Sequence, residues 1–322
     1  MGEFDLIKQY FTRSNLDRAD VVLAVGDDCA VTTIESHQQL VITTDTLVCG
    51  THFLADIDPY DLGYKSVAVN LSDVASMGAK PTWVSLALTL PSVNEIWLTE
   101  FSRGLFEILD RYNVSLIGGD TTKGHLSITL TAQGILNKDS GLFRHKAKEG
   151  DFIFVSGTLG DSAAGLALLL NRPQNDYSVS QHNLLQRHLR PTPRVELGQA
   201  LIGYSNCAID ISDGLLADLG HILKRSQVGA TIELDKLPLS QNLIENYSLE
   251  QAETFALSGG EDYELCFTAA KEQREAMERA LAKQGIAVIC IGQVTEQTQG
   301  LVLTRNGEKV ELPTRAGFNH FG

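Results

Sequence analysis

Residues 114–121 read VSLIGGDT, a short apolar run that ends abruptly in two glycines and an aspartate. Val, Ile and Leu in a short run bounded by turn residues are typical of a buried β-strand that leads into a polar turn. The same pattern occurs in VVLAVGDD (21–28), LVITTDT (40–46), FIFVSGTLGDS (152–162) and CAIDISDG (207–214). The sequence therefore predicts several buried strands whose ends carry Gly, Thr and Asp.

Segments with helical periodicity alternate with these predicted strands. They span residues 59–77, 93–112, 162–171, 192–202, 215–226 and 271–284. The alternation predicts a mixed α and β fold. Residues 172–190 are rich in Asn, Gln, Ser and His and have no steady period, which predicts a surface excursion.

The length of the chain indicates two domains. At 322 residues it is too long for one ordinary core and suits two domains of ~150 residues each. Residues 137–150 are polar and precede a new predicted strand at Phe152, so they are the best candidate for a linker. We therefore expect one domain over residues 1–147 and a second over residues 148–322.

The charge and the cysteines restrict the classes of partner and compartment. The formal net charge is -14, and no run of Lys or Arg offsets it, so neither nucleic acid nor an anionic membrane is an expected partner. The first residues lack a basic start followed by an apolar stretch, and nowhere do ~18 apolar residues run together, so we expect neither secretion nor membrane spanning. The cysteines, Cys29, Cys49, Cys207, Cys266 and Cys290, are odd in number and lack C-x-x-C spacing, which predicts reduced thiols. We expect a cytoplasmic protein.

Aspartates follow the apolar runs repeatedly, at Asp28, Asp45, Asp120, Asp210 and Asp213. A single aspartate after a strand is usually a turn former or a helix cap, and that alternative holds for each residue alone. Strand ends in a mixed sheet can converge on one rim, however, and converging carboxylates raise one another's pKa unless a divalent cation is present. Oxygen ligands without a Cys or His cluster favour magnesium. The pattern predicts a magnesium site.

A magnesium site of this kind favours a phosphate-bearing substrate, because Mg²⁺ commonly shares its coordination shell with phosphate oxygens. Gly119 before Asp120 and Gly260 before Glu261 allow close approach of a ligand to the backbone, although turns alone also explain these glycines. The sequence contains neither G-x-x-x-x-G-K-[ST] nor the protein-kinase motifs. If ATP binds, metal ions and backbone must hold it.

The same features suit phosphoryl transfer to a phosphate. This chemistry depends on positioning and on neutralising charge, so a metal-rich site without a His or Cys nucleophile is sufficient. A phosphate acceptor is already an anion and needs no general base, but cations must shield the two reacting anions. Arg144 in the predicted linker is a candidate for such a cation.

Motifs along the whole chain resemble those of the thiamine-monophosphate kinase family, which belongs to a superfamily with aminoimidazole ribonucleotide synthetase and selenophosphate synthetase. The resemblance runs from end to end and is far more specific than any single glycine motif. It rests on GEFDLI (2–7), VGDDCA (25–30), TTDTLVCGTHF (43–53), DLGYKSVAVNLSDVASMGAKP (61–81), LIGGDTT (116–122), GTLGDSAAGL (157–166), RHLRPTPR (187–194), AIDISDGLLADLGHI (208–222), LSGGEDYELCF (257–267) and GFNHF (317–321).

The resemblance implies an enzyme that transfers the terminal phosphate of ATP directly to thiamine monophosphate, with several Mg²⁺ ions and with ATP as co-substrate. The products would be ADP and thiamine diphosphate, in the last step of thiamine diphosphate synthesis. It also implies an α+β fold of two domains. The amino-terminal domain would bind ATP and magnesium and pair its mixed sheet across a homodimer, and the carboxy-terminal α+β domain would complete the active site.

The resemblance assigns site residues by their positions in the matching motifs. The magnesium ligands, through side chain or backbone, would be Asp28, Thr43, Thr44, Asp45, Asp73, Asp120, Asp210 and Asp213. The nucleotide would contact Gly119, Asp120, Arg144 and Ser212, and thiamine monophosphate would contact His52, Glu261 and Phe318. The catalytic residues would be Asp120, Asp45 and Arg144.

The substrate residues have other interpretations. His52 beside Phe53 could pack at a domain edge, and Glu261 with Asp262 could cap a helix. Many relatives have Trp or Tyr followed by Asp where this chain has Phe318 and Asn319, and Phe retains the ability to stack on a substrate ring.

Two rival functions stay open from the sequence. The first keeps the superfamily and changes the acceptor, as in a formylglycinamidine-type ring closure or selenide phosphorylation. Selenide phosphorylation relies in relatives on a reactive Cys or selenocysteine near the amino terminus, and residues 1–20 contain no cysteine. The second rival is a magnesium or nucleotide sensor without turnover.

Overall fold

Two compact units make up the protein, which is described here from a computed structural model covering residues 2–13, 18–26, 28–171, 176–313 and Gly317. One unit consists of Met1–Val74 with Ala79–Ser140, and the other of Ala75–Gly78 with Gly141–Gly322. The domain division predicted at residue 148 lies in the irregular stretch after residue 137 and before residue 152, and it stays a prediction.

The first unit contains a two-stranded and a four-stranded sheet with helices. Its elements are α1 (Glu3–Leu6), a π-helical turn (Ile7–Phe11), β1 (Val21–Leu23), β2 (Val31–Thr32), β3 (Gln38–Val48), α2 (Pro59–Ser76), β4 (Lys80–Leu90), α3 (Glu95–Arg111), β5 (Ser115–Lys123) and β6 (Ser127–Asn137). β1 pairs with β2, and the larger sheet has the order β3-β6-β4-β5. β6 is antiparallel to β3 and β4, whereas β4 and β5 are parallel.

The two faces of the four-stranded sheet differ. On one face Ile128 and Leu130 of β6 are buried, and the Cβ position of Gly134 is only 2.6 Å from Val74 Cγ1 of α2. Because side chains alternate along a strand, the neighbouring residues point to the opposite face. There Leu40 and Ile42 of β3 are 41% and 59% exposed. The second face therefore carries large apolar side chains that are open to solvent in the isolated chain.

Helices α2 and α3 contact each other through glycines. A Cβ atom added to Gly104 of α3 would lie 1.9 Å from the carbonyl oxygen of Tyr60, and one added to Gly63 of α2 would lie 2.1 Å from that of Phe101. No side chain fits at these distances, so the two backbones approach more closely than any other residue type permits.

The second unit contains a seven-stranded sheet with helices on both faces. Its elements are β7 (Phe152–Ser156), α4 (Asp161–Asn171), α5 (Val179–Leu189), α6 (Val195–Ala200), β8 (Cys207–Asp210), α7 (Leu215–Ser226), β9 (Gly229–Glu233), α8 (Gln241–Asn246), α9 (Leu249–Ser258), β10 (Leu265–Ala269), α10 (Lys271–Lys283), β11 (Val288–Thr295), β12 (Leu301–Arg305) and β13 (Glu308–Val310). The strand order is β13-β12-β9-β11-β7-β10-β8.

Alternate residues of the central strands supply two hydrophobic cores in this unit. Ile153 and Val155 of β7 pack in one core with Leu219 of α7. Phe154, which lies between them in sequence, belongs to the other core, where its ring stacks on Phe267 of β10 at a centroid distance of 5.4 Å. The sheet is thus buried on both sides, which explains why its strands are almost continuously apolar in sequence.

The structure confirms the α+β class, and α7 has the bounds that the sequence predicts. The surface excursion predicted for residues 172–190 is wrong, because Val179–Leu189 forms helix α5. Ser178 and Gln181 form a capping box at its start, and Leu184 and Leu185 are buried. Polar residues hide the periodicity of this helix, since only a narrow stripe is apolar. Within the described residues, no helix is both long and apolar enough to cross a bilayer.

We expect Gly104→Ala to lower the free energy of unfolding by about 2–3 kcal/mol, because the new methyl group would force α2 and α3 apart. The matched control is Gly220→Ala in α7, where an added Cβ meets nothing within 4 Å. That change should raise stability by about 0.5–1 kcal/mol through helix propensity. Urea denaturation of both variants measures the difference, and equal effects would contradict the close helix contact.

Candidate active site

Strand β3 and helix α2 bring three of the predicted magnesium ligands together, Thr43, Asp45 and Asp73. Thr43 and Asp45 are two residues apart on β3 and face α2, where Asn70 and Asp73 lie on one side of the helix. The Thr43 hydroxyl donates a short hydrogen bond to Asp73 Oδ2. The backbone N–H of Asp45 donates to Asn70 Oδ1 at 3.3 Å, and the Asn70 amide donates to the Ser66 carbonyl oxygen at 2.9 Å. This network fixes the position of the two carboxylates.

The electrostatics of this pair suit a hard divalent cation. Burial first, and the negative charge of Asp73 second, together raise the pKa of Asp45 to about 6. Two carboxylates that disfavour each other's charge in a half-buried setting gain most from a bound cation. The available donors are oxygens, which magnesium prefers. The residues present therefore fit a magnesium ion.

A second candidate position in the same unit is a cavity of about 950 Å³. It is lined by Asp28, Gly119 and Asp120, and its wall also includes Lys8 and Phe11. Gly119 has φ +154°, and a Cβ there would lie 1.9 Å from the carbonyl oxygen of Leu86. Only glycine fits this approach of β5 to β4. The next residue, Asp120, is exposed at the cavity. The cavity is large enough for a nucleotide.

Asp45 and Asp120 lie on opposite edges of the four-stranded sheet. Asp45 of β3 pairs with Leu130 of β6, and Leu130 pairs with Leu86 of β4. Asp120 of β5 pairs with Ala87, the residue after Leu86 on β4. Three strand spacings amount to ~14 Å along the sheet. Magnesium binds oxygen at about 2 Å, so one ion cannot contact both carboxylates in this arrangement. The two groups define separate positions in one chain.

Two other predicted residues of this unit have different surroundings. The Thr44 side chain points to the face opposite Asp45, where its hydroxyl lies 2.9 Å from that of Thr131. A ligand role for Thr44 is thus left to its backbone carbonyl. His52 Nδ1 accepts a hydrogen bond from the Val48 backbone N–H at 3.0 Å, so in the neutral ring the proton is on Nε2. This contact orients the imidazole.

In the second unit, Asp218 organises the turn that carries Ser212 and Asp213. Asp218 Oδ2 accepts the backbone N–H groups of Ser212, Asp213 and Gly214 at 3.0, 3.0 and 3.1 Å. Burial raises the pKa of Asp218 to about 7, although the three N–H donors oppose that rise. Asp210 ends the preceding strand and is 2% exposed. The Asp218 carboxylate thus holds the turn that follows Asp210 and contains Asp213, both of which are predicted magnesium ligands.

Glu261 lies on a strained loop beside this turn. Its φ is +67° and that of Tyr263 is +51°, both in the left-handed region that non-glycine residues rarely adopt. The loop is held by backbone hydrogen bonds from Glu261 N to the Ser212 oxygen at 2.8 Å and from Tyr263 N to the Ile211 oxygen at 2.9 Å. The structure therefore brings Ser212, Asp213 and Glu261 together.

Two buried acidic residues, Asp262 and Glu264, anchor the chain directly after Glu261. Asp262 accepts the backbone N–H groups of Gly160 and Ser162 at 2.7 and 3.1 Å, so it caps the start of α4. Burial alone would raise the pKa of Glu264, but Arg194 and Arg187 outweigh burial and hold that pKa below its usual value. The capping alternative from the sequence is thus correct for Asp262, although the helix it caps is distant in sequence.

The remaining predicted residues are more isolated. Arg144 is exposed, and its backbone oxygen accepts from the Ser226 hydroxyl at 2.9 Å. Phe318 lies outside the described residues. Among the residues that the structure describes, no three His, Cys, Asp or Glu side chains are close enough to enclose a metal ion by themselves. The predicted ligands form pairs and small groups rather than a closed protein cage.

Several residues of the site could not be predicted individually from the sequence. They are Asn70, Asp218, Asp262, Glu264, Arg187 and Arg194. The sequence does give one indication of the arginines, because RHLRPTPR (187–194) begins and ends with Arg and lies between apolar segments. Its partner, Glu264, is separated by 70 residues from Arg194, and only the fold reveals the ion pair.

Comparisons with known proteins agree with this architecture. The family model described as AIR synthase related protein, N-terminal domain, matches residues 26–136, and the corresponding C-terminal domain model matches residues 148–303. The fold and the site thus define a two-domain protein of the AIR synthase related class.

More specific relatives narrow this class. The thiamine-monophosphate kinase of Haemophilus influenzae is 56% identical, with 100% of this chain and 98% of the relative covered. The crystal structure of thiamine-monophosphate kinase from Stenotrophomonas maltophilia has a TM-score of 0.85 at 44% identity, covering 92% and 94% of the two chains. A structure of AaThiL complexed with AMPPCP and TMP has a TM-score of 0.78 at 35% identity, covering 99% and 96%. The chain belongs to the thiamine-monophosphate kinase family.

We expect Asp218→Ala to destabilise the protein by about 2 kcal/mol, because three backbone N–H groups lose their shared acceptor. Asp218→Asn is the matched control, since its amide oxygen can still accept them, and it should cost clearly less. Urea denaturation at pH 7 gives both values. Equal losses for the two variants would show that the carboxylate oxygen does not hold the turn.

Proposed function

We propose that this chain transfers the terminal phosphate of ATP to thiamine monophosphate and so produces thiamine diphosphate and ADP. The observation that carries the proposal is the structure of AaThiL complexed with AMPPCP, an ATP analogue, and TMP. That protein aligns with 99% of this chain at 35% identity. The half-buried carboxylate pair and the nucleotide-sized cavity agree with such chemistry. The enzyme is a phosphotransferase whose acceptor is a phosphate group.

Magnesium is part of this proposal. We assign Asp28, Thr43, Thr44, Asp45, Asp73, Asp120, Asp210 and Asp213 as its ligands, on the resemblance and on the donor chemistry described above. The separation of Asp45 from Asp120 in one chain supports more than one ion position. When bound, magnesium supplies positive charge to the phosphate oxygens and lowers the repulsion between donor and acceptor.

The chain's own groups position the two substrates. Gly119, Asp120, Arg144 and Ser212 are assigned to the nucleotide, and His52, Glu261 and Phe318 to thiamine monophosphate. Gly119 permits an approach of the nucleotide to bare backbone, and Arg144 adds a positive charge. His52 Nδ1 accepts the Val48 backbone N–H, so the substrate role assigned to His52 falls to the Nε2 side of its ring.

The transfer itself needs little covalent chemistry from the protein. An oxygen of the acceptor phosphate forms a bond to the terminal phosphorus of ATP, while the bond from that phosphorus to the bridging oxygen breaks and ADP leaves. The acceptor is already an anion, so no side chain has to remove a proton. The catalytic contribution of Asp45, Asp120 and Arg144 is therefore to place and neutralise charge.

The cytoplasm is the proposed compartment. The reaction consumes ATP, and the cysteines are free thiols, with Cys207 and Cys266 fully enclosed in the second unit. Unpaired thiols are typical of a reducing compartment.

The first test is an assay of the purified chain with ATP, magnesium and thiamine monophosphate, with products separated by chromatography. ADP and thiamine diphosphate should appear in equal amounts, and chelation with EDTA should abolish both. Free thiamine should not be phosphorylated, because the site accepts an anion. ADP release that does not depend on thiamine monophosphate would point to another acceptor, and no turnover at all would favour the sensor.

A variant pair links this assay to the carboxylates. Asp45→Asn should lower kcat by about a hundredfold or more, because it removes charge from the metal position. Asp139→Asn is the control, since Asp139 is exposed in a turn at φ +62°, which Asn also tolerates. Equal kcat values for both variants would contradict the assignment of Asp45.

We further propose a homodimer formed through the open face of the four-stranded sheet, where Leu40 and Ile42 are exposed. Ile42→Lys should shift the mass measured by light scattering from that of a dimer to that of a monomer, because a charge would be buried at the interface. Ile96→Lys is the control, since Ile96 is 80% exposed on α3 and should leave the mass unchanged. A dimer in both variants would place the interface elsewhere.

A further inference from the structure

Helix α5 presents a buried histidine to the strained loop that carries Glu261. His188 is 4% exposed, and its Nδ1 lies 3.4 Å from Glu261 Oε2 and 3.1 Å from the Ser162 hydroxyl. The Glu261 side chain is 24% exposed, so one part of it faces solvent while the other faces this ring. His188 thus contacts a residue assigned to the substrate while being itself withdrawn from solvent.

The surroundings determine which ring nitrogen carries a proton. A carboxylate oxygen only accepts hydrogen bonds, so an unprotonated Nδ1 would place a lone pair against Glu261 Oε2. With the proton on Nδ1, the ring donates to the carboxylate and to the Ser162 oxygen at the same time. The favourable arrangement is therefore an Nδ1–H group shared between Glu261 and Ser162.

The backbone beneath His188 is rigid. Helix α5 packs against α4 at Gly165, where an added Cβ would lie 2.3 Å from the carbonyl oxygen of Leu184 and 3.0 Å from His188 Cβ. Ser162, in the first turn of α4, is itself fixed through its backbone N–H to Asp262. The ring is consequently held by two close-packed helices, whereas Glu261 sits on a loop.

Two charged residues near this contact have partners of their own. Arg187, the residue before His188, donates to Glu264 at 2.7 Å and lies 3.9 Å from Asp161, and Asp262 caps α4. The Glu261 side chain contacts His188 and, at 24% exposure, also faces solvent. A donor held on two close-packed helices restricts the rotamers of a carboxylate that sits on a loop at φ +67°.

We propose that His188 is a positioning residue for thiamine monophosphate: its Nδ1–H holds the Glu261 carboxylate in the orientation that meets the substrate. The inference rests on the proposed function, and in particular on the role of Glu261 toward the acceptor. His188 does not touch the substrate. Its loss leaves the carboxylate present but no longer oriented, so binding of the acceptor weakens while the nucleotide site is unaffected.

Steady-state kinetics of His188 variants test this inference. His188→Leu keeps the apolar bulk and removes the donor, and it should raise KM for thiamine monophosphate about three- to tenfold with little change in KM for ATP. His188→Asn places an amide N–H near the position of Nδ1 and should restore KM to near the wild-type value. His188→Met, flexible and apolar, replaces His188→Leu in the test if the latter does not fold.

The Glu261→Gln variant separates this inference from the proposed function. If His188 acts through Glu261, His188→Leu should add nothing to the rise in KM already caused by Glu261→Gln. A raised KM in Glu261→Gln with a wild-type KM in His188→Leu would overturn the role of His188 alone. An unchanged KM in Glu261→Gln would overturn the assignment of Glu261 as well. Equal losses for Leu and Asn, with a lower melting temperature in both, would show that His188 serves only the packing.

Discussion

The mutual repulsion of Asp45 and Asp73 is the constraint around which the first unit is organised. A strand and a helix are fixed so that two carboxylates meet in a half-buried place, where burial and like charge hold the pKa of Asp45 near 6. Such a pair costs stability in the free chain and gains it when a cation arrives. The hydrogen bonds from Thr43 and to Asn70 keep the carboxylates in place despite this cost. A bound cation would relieve this repulsion, in agreement with the proposed magnesium site.

In the second unit, by contrast, the buried acidic residues have cationic or hydrogen-bonding partners. Glu264 is fully enclosed, yet the guanidinium groups of Arg187 and Arg194 and the Ser156 hydroxyl compensate its charge. Asp262 and Asp218 are satisfied by backbone N–H groups. These networks hold the Ser212–Asp213 turn and the Glu261 loop, which are assigned to ligands under the proposed function. The first unit therefore contains a pair of like charges with a raised pKa, whereas the second balances its buried charges with partners.

Much of this organisation could be predicted from local patterns. Helix α7 was predictable to the residue, because it combines a wide apolar stripe with a glycine before it and basic residues in its last turn. Helix α5 was not, since its apolar stripe is narrow. The aspartates at strand ends predicted a magnesium site, but their grouping into separate pairs depends on strand order and register, which no local pattern contains. Glu264 pairs with arginines that are far away in sequence, and Asp218 accepts the N–H groups of a turn whose shape no sequence pattern shows. The role of Phe318 stays a prediction.

The strand order also has a consequence for how the protein is made. β3, which carries Asp45, is joined to its sheet by β6, and β6 is the last strand of the sheet to be synthesised. The chain between them includes α2, β4, α3 and β5, so the ends of a long loop must meet before β3 is held. Asp45 and Asp73 can therefore be held side by side, as in the folded unit, only once the chain has been synthesised through β6. A nascent chain that stops short of β6 lacks the strand that joins β3 to the sheet.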